Sequence, residues 1–280
     1  MGKTYRGLTR IGSTVEAKSG IDRLQFKCDN MQTLDSEFAN CKATGLEDVL
    51  DGLDTSKVKN FKSFLSGTAI KRVPYLKSSG TIDNIRHICS QCTELEEADL
   101  TGLTGELTST LSDSIVHSCS KLKTLKLNPN LKMQSIGAIC WECNQLETVE
   151  TLNLINTTIT TNAFSGCSKL TNLKLKNVKI SLQIGSRTQY GHLLTDESLI
   201  NTAQELWNLT GSTTQTLIVS TPSEVRFDAI YVKLITPTSE QIANDPYINN
   251  KKPCEVCEST SDGAMTLREY VVSKNWELKT

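Results

Sequence analysis

Cys119-Ser-Lys-Leu122-Lys-Thr-Leu125-Lys-Leu127 and Cys167-Ser-Lys-Leu170-Thr-Asn-Leu173-Lys-Leu175 are almost the same phrase written twice, and their reading decides the fold. Cys92-Thr-Glu-Leu95-Glu-Glu-Ala98-Asp-Leu100 is a third copy. Cys143 opens a stretched fourth, in which Leu146 and Val149 hold phase before Leu152 and Leu154 suggest a short insertion. The steps between these cysteines are 27, 24 and 24 residues. A period of that length carrying L-x-x-L-x-L marks a solenoid, because a unit so short cannot bury an apolar face alone and must stack on its neighbours. Upstream, the gap of 51 residues between Cys41 and Cys92 is close to two periods, and Gly67 stands where the intervening cysteine is expected. Phe64-Leu-Ser-Gly67 then matches Phe164-Ser-Gly-Cys167, with Ile70 and Val73 as its first apolar positions. Ile21, Leu24 and Phe26 repeat the spacing once more. The predicted solenoid runs from about Ile21 to about Ile184 in six or seven turns.

The end of each phrase alternates apolar and polar residues, which suits a short strand with every second side chain inward. Six or seven such strands are expected to stack in parallel. Before each cysteine the apolar residues follow helical spacing: Ile85, Ile88, Cys89 and Cys92; Leu111, Ile115, Val116 and Cys119; Ile136, Ile139, Cys140 and Cys143. That spacing predicts a short helix in each turn. The residue three before the repeat position reads Phe38, Phe64, Cys89, Val116, Cys140 and Phe164, the content of a buried apolar slot. Cys89-x-x-Cys92 and Cys140-x-x-Cys143 resemble halves of a zinc site. They stand two repeats apart, about 10 Å at roughly 5 Å per strand, and core packing is the reading that fits.

Composition narrows the function. The 280 residues carry a net charge of −1, and a pI near 6.3 argues against a basic nucleic-acid surface. No apolar stretch approaches 20 residues, so nothing is expected to cross a membrane. Met1 to Gly12 lacks the apolar core of a secretory signal, and Arg6 stands where a myristoylation motif needs Ser or Thr. The 10 cysteines fall mostly at one repeat phase, as buried thiols do, which points to a reduced protein made in a cytoplasm. His87, His117 and His192 are scattered, and no nucleophile-elbow, zincin, phosphate-loop or dinucleotide motif occurs. No catalytic, cofactor or metal residue is assigned, and a non-enzyme is expected.

Beyond Ile184 the phrase stops. Thr195 to Gly211 predicts a helix, with Thr195 or Asp196 as cap, acids in the first turn and Gly211 at its end. Thr216 to Val219 and Val225 to Ile235 read as strands, and Met265 to Trp276 as a helix leading into a last strand, Trp276 to Leu278. A polar stretch at about 236–263 reads as a long loop or insertion. It holds Cys254-Glu-Val-Cys257, an incidental or packed pair with a loop metal or redox site as the alternative. A solenoid needs an end unit to hide its last apolar face, and Trp207 and Trp276 are candidates to cover it. The predicted class is α/β: an N-terminal segment at 1–20 for attachment or capping, a solenoid of short parallel strands and short helices at 21–190, and an α/β cap at 191–280.

Outward strand positions form rows. Glu96, Lys123, Glu147 and Thr171 occupy one, and Asp99, Lys126 and Lys174 another, so opposite charges should alternate along parallel neighbours. Such rows can simply avoid repulsion, each pair being worth at most about 1 kcal/mol. They also offer a candidate binding surface for a protein or a glycan, and the two roles are compatible.

Ala163-Phe164-Ser-Gly-Cys167-Ser-Lys-Leu170-Thr-Asn-Leu173-Lys-Leu175 resembles the repeat of the BspA-like leucine-rich repeat family, A-F-x-x-C-x-x-L-x-x-I-x-L. Leu53-Asp-Thr-Ser-Lys-Val58-Lys-Asn-Phe61 is similar to that family's aspartate-threonine-serine variant. The resemblance covers about two thirds of the chain, and Gly67, Ala98 and the stretched fourth copy depart from it. Leu194 to Gly211 and Thr266 to Leu278 are similar to tails of such proteins in phages and prophages of gut bacteria. The resemblance implies a structural or adhesive virion component, a fibre or decoration protein made in the host cytoplasm. Its implied partners are other virion proteins and a host-surface glycan or protein, with no cofactor, no nucleic acid and a homo-oligomer left open. The alternative is a bacterial recognition module or adhesin, intracellular or at the cell surface.

Overall fold

The computed structural model describes residues 4–6, 25–27, 31–78, 80–107, 110, 112–184, 194–257 and 265–279. The architecture is α/β, with several parallel strands and few short helices. In chain order the first elements are β1 (Thr4–Arg6), β2 (Gln25–Lys27), α1 (Leu46–Leu50), β3 (Glu97–Leu100), β4 (Gly105–Leu107), β5 (Thr124–Leu127), β6 (Leu131–Met133), β7 (Thr148–Asn153), β8 (Asn172–Lys176) and β9 (Leu182–Ile184). They are followed by α2 (Asp196–Glu205), β10 (Gln215–Val219), α3 (Thr221–Arg226), β11 (Tyr231–Leu234), α4 (Ser239–Asn244), β12 (Cys254–Cys257), β13 (Met265–Thr266), α5 (Leu267–Ser273) and β14 (Trp276–Lys279).

β3, β5, β7 and β8 lie side by side as a parallel sheet. Its register joins Glu97, Thr124, Thr148 and Asn172, and beside them Ala98, Leu125, Val149 and Leu173. These partners are separated by the same steps of 27, 24 and 24 residues as the cysteines, so each copy advances the sheet by one strand. An Arg72–Glu97 bridge adds an earlier copy. Ala98, Leu125, Val149 and Leu173 are fully buried while their strand neighbours face out, as the alternation requires. The stretched copy keeps step through a bulge: the register shifts between Val149 and Leu152, and Thr151 takes a φ of 53°. Leu152 thereby meets Leu175 and stays buried. Two further parallel rows flank this sheet, β4 with β6 and the bridges Thr33–Asn60–Asn84. Gly105 permits the first, because a Cβ there would stand 2.0 Å from the Gly80 carbonyl oxygen. The copy expected at Ile21, Leu24 and Phe26 lies largely outside the described residues; Gln25–Lys27 pairs in parallel with Thr4–Arg6.

The segments before the cysteines, expected to be helical, are chains of turns instead. Residues 136–143 show the rule. The amides of Ile136, Ala138, Cys140 and Glu142 donate to Ile159, Thr161, Ala163 and Ser165 in the next copy, whereas those of Ile139, Trp141 and Cys143 donate three residues back within their own copy. This alternation needs two left-handed residues per copy, four apart: Ser36 and Asn40, Ser63 and Gly67, His87 and Gln91, Ser114 and Ser118, Ala138 and Glu142, Asn162 and Gly166. Left-handed backbone costs a non-glycine residue roughly 1–2 kcal/mol, so the conformation persists only because inter-copy bonds and packing hold it. The buried positions still recur every three and four residues, which is why the pattern imitates a helix.

The same geometry corrects one alignment. The left-handed residue before each slot is Asn40, Gln91, Ser118, Glu142 or Gly166, so Gly67 belongs to that set and Thr68 fills the cysteine slot. Leu65, not Phe64, then occupies the buried position three before it, and Leu65 donates to Ile88 as Cys89 does to Ile115. Ile70 and Val73 keep their expected buried places because one residue fewer separates slot from strand. In the slot itself each thiol donates to a carbonyl one copy upstream: Cys92 to Leu65 at 3.0 Å, Cys119 to Cys89 at 3.0 Å, Cys143 to Val116 at 2.9 Å and Cys167 to Cys140 at 3.0 Å. Thr68 uses its hydroxyl on the carbonyl of Leu65 at 2.8 Å and lies 3.4 Å from the Cys92 sulfur.

Helices close this sheet at both ends. At the early end α1 supplies carboxylates to the amides of the next copy, Glu47 to Lys71 and Asp51 to Tyr75, and Arg72 bridges Asp48 and Asp51. At the late end α2 lies against β8, and Ser198, Asn201 and Glu205 accept from the amides of Leu173, Leu175 and Asn177 at 2.9, 2.7 and 2.9 Å. Side chains thus stand in for the carbonyls of a further strand. Thr195 caps α2 as expected. The helix ends at Glu205, short of the expected Gly211, because Leu206 turns extended and bridges Val178.

The remainder forms two small sheets, parallel β14-β10-β9 and antiparallel β12-β11-β13. Val225 and Arg226, read from sequence as the start of a strand, belong to α3, which a proline in its first turn initiates. Trp276 is buried and its indole donates to the Trp207 carbonyl at 2.8 Å, while Trp207 is half-buried against Tyr247. Fully buried Lys274 donates to the carbonyls of Ala203, Gln204 and Leu206 at 2.8, 3.0 and 2.7 Å, satisfying the end of α2, and its ammonium sits over Tyr270. The stretch at 236–263 is not a loop over its described part. It holds α4, a 3-10 turn at Ile248–Asn250 and β12, and buried Lys251 ties it to Glu205 and Asp245 at 2.5 and 2.7 Å.

The corrected alignment has a direct test. Thr68→Cys should extend the thiol row at a stability change within about 1 kcal/mol. Gly67→Cys puts a Cβ 2.4 Å from the Asn40 side-chain oxygen at a φ of +69° and should cost about 2 kcal/mol or more. Denaturant midpoints of the two variants decide it, and the reverse order would contradict the alignment.

Candidate interaction surface

The outward rows expected from the sequence are present in register. The amide of Lys123 donates to the Glu96 carbonyl and that of Glu147 to the Lys123 carbonyl, and Lys71 begins the row because Glu96 donates to it. The Lys123 ammonium lies 3.6 Å from the Glu96 carboxylate, with both side chains more than half exposed. Asp99 and Lys126 are paired in the ladder, yet their side chains part. Lys126 reaches Glu97 at 2.5 Å, and Asp99 accepts from the amide and hydroxyl of Thr101 at 2.9 and 2.6 Å. A short acid next to the end of its strand finds a local turn donor sooner than a cross-strand cation. Lys174 faces Glu197 of α2 at 3.7 Å, so the row runs onto the closing helix. A row two residues after the cysteine was missed: Lys121 pairs with Glu94 at 2.7 Å and Lys169 donates to Gln145 at 2.6 Å. Its signal was present in the same one-copy spacing. The hydrogen bond between them lowers the Glu94 pKa and raises that of Lys121. Exposed pairs of this kind are screened by salt and do little for stability.

On the turn face, Lys62 approaches Asp35 at 3.8 Å and Arg86 meets Asp113 at 2.8 Å, again one copy apart. His117 and Trp141, each two residues before a repeat cysteine, stack with ring centres 4.8 Å apart and planes 10° from parallel. The sequence placed His117 in that phase but did not connect it with Trp141. His87 Nδ1 lies 3.2 Å from the Ser90 hydroxyl, and burial, then Arg86, lowers the His87 pKa. Buried Ser90 spends its hydroxyl proton on the Ser114 carbonyl of the next copy.

Both repeat CxxC pairs are buried within the copies. Burial pushes the Cys89, Cys140 and Cys167 thiols well up; hydrogen bonding with Cys143 and Cys92, then burial, does the same to Cys119. Among the described residues no group of three or more His, Cys, Asp or Glu is arranged to hold a metal ion. Cys254–Cys257 forms strand β12 rather than a loop, and the two side chains lie outside the described residues. His192 also lies outside them.

Comparison with known proteins finds no matching family model, no matching curated relative and no matching solved structure.

Cys89, Cys92, Cys119, Cys140, Cys143 and Cys167 should resist a maleimide under native conditions, since reaction requires an accessible thiolate. Peptide mass spectrometry after brief labelling, with and without denaturant, reads this out. Native labelling of these six at the rate seen in the unfolded chain would contradict their assignment to the interior.

Proposed function

We propose that the stacked copies are a leucine-rich-repeat solenoid of the BspA-like kind, spanning about residues 21–190 and closed by an α/β cap at 191–280. In this reading the chain is a non-enzymatic structural or adhesive component of a phage virion, a fibre or decoration protein. Its outward rows, Glu96, Asp99, Lys123, Lys126, Glu147 and Lys174 among them, face other virion proteins or a host-surface glycan or protein.

One observation carries this reading. Among the described residues, the thiols of Cys92, Cys119, Cys143 and Cys167 and the hydroxyls of Ser90 and Ser112 are spent on the interior, where they donate to the carbonyls of neighbouring copies. What the stack presents outward is a set of repeated polar rows on a backbone held from copy to copy. Such a surface is suited to extended recognition, because each copy offers a similar patch at a fixed step. No helix among the described residues is long and apolar enough to cross a membrane, which accords with a role outside the bilayer.

Density-gradient sedimentation of lysate from the producing cells, with peptide mass spectrometry across the fractions, tests the virion role. The chain should band with DNA-filled particles at a fixed ratio to the capsid protein. Recovery only from the soluble fractions would overturn the virion role.

A further inference from the structure

The ring pair His117–Trp141 stands out from the row to which it belongs. Along this row, two residues before each slot, the copies read Ala39, Ser66, Ser90, His117, Trp141 and Ser165. Consecutive rungs are locked by backbone bonds: Gln91 to the His117 carbonyl at 2.7 Å, Ser118 to the Trp141 carbonyl at 2.8 Å and Glu142 to the Ser165 carbonyl at 2.8 Å. His117 covers one face of the Trp141 indole. On the other side the next rung offers only the hydroxymethyl group of Ser165, and Trp141 remains 38 % exposed. The rungs repeat at about 4.8 Å, the thickness of one stacked ring, so the rung over Ser165 has room for a flat ring supplied from outside.

We propose that this rung binds the apolar face of a neutral pyranose, one sugar unit of a glycan. The electron-rich indole face attracts the positively polarised axial C–H groups of such a ring. Exposed Glu142, next to Trp141 in the chain, turns its carboxylate upstream to the Ser118 hydroxyl at 3.2 Å, which leaves the rung over Ser165 clear and a negative charge beside it. The same carboxylate disfavours phosphate-bearing rings by like-charge repulsion, which selects a neutral sugar over a nucleotide. The site deepens the recognition role proposed above and rests on that part of it.

The test uses the full chain with 15N-labelled indoles, titrated with methyl glycosides of glucose, galactose, mannose and N-acetylglucosamine. The three tryptophans give three indole signals, assigned with W141F. At least one glycoside should shift the Trp141 signal while Trp207 and Trp276 stay still, and saturation transfer should fall on the axial protons of the sugar. W141A should weaken binding about tenfold or more, with the two remaining indole signals reporting an intact fold. Ser165→Phe should fill the rung with a ring of the protein's own and block the sugar while leaving Trp141 in place. A Trp141 signal that ignores all four glycosides, answers instead to a thymidine oligonucleotide, or still answers to sugar in Ser165→Phe overturns the proposal. Glycoside binding that shifts only Trp207 overturns this site and leaves glycan recognition standing. A responsive Trp141 in a chain that fails to band with particles keeps the site and removes the virion role.

Discussion

Every second amide of the turn segments takes its acceptor from the next copy, and the left-handed residues that aim those amides outward make the arrangement possible. A helix would satisfy its own amides and leave each copy separate. Here a copy that stood alone would leave the amides of Ile136, Ala138, Cys140 and Glu142 with water as their only partner. The local strain and the non-local bonding are therefore one feature. Neither survives without the other, and together they set the step at which the strands, the apolar residues and the thiols recur.

The thiol row follows from the same step. A cysteine is small enough for the interior and carries a weak donor that reaches the carbonyl one copy upstream. Threonine at position 68 instead turns its hydroxyl to the Leu65 carbonyl of its own copy, the same carbonyl that the Cys92 thiol reaches from the next copy. Closure of the ends is the complementary problem, since the outermost strand must find acceptors without a neighbour. Glu47 and Asp51 solve it on one side, and Ser198, Asn201 and Glu205 on the other. The closing helix then has its own unpaired carbonyls, and Lys274 is buried to meet them.

What could be read from the chain was whatever repeats. The leucine phases, the buried slot at Cys89, Val116 and Cys140, the parallel register and the charged rows all follow from a fixed spacing that one sequence displays several times. The turn segments were misread because their buried residues recur every three and four positions, and because Ser, His, Gln, Ala and Glu stand where glycine would have announced left-handed backbone. Gly67 was put in the cysteine slot because only a compensating one-residue deletion distinguishes it from Thr68. The C-terminal third was legible where local signals act, as at Thr195. It was misread at 236–257, whose order comes from the distant partner Glu205 of Lys251. Among the outward groups, Glu96 and Lys123 pair as expected, whereas Asp99 yields to the nearer Thr101. The His117–Trp141 stack needed the step and the three-dimensional neighbour at once.

Through-hydrogen-bond scalar couplings in a deuterated, 15N,13C-labelled sample examine the inter-copy bonds most directly. The account predicts couplings from the amide nitrogens of Cys89, Val116 and Cys140 to the carbonyl carbons of Ile115, Ile139 and Ala163. Couplings from those nitrogens to Ile85, Ser112 and Ile136, four residues back along their own copies, would reveal helices and contradict it.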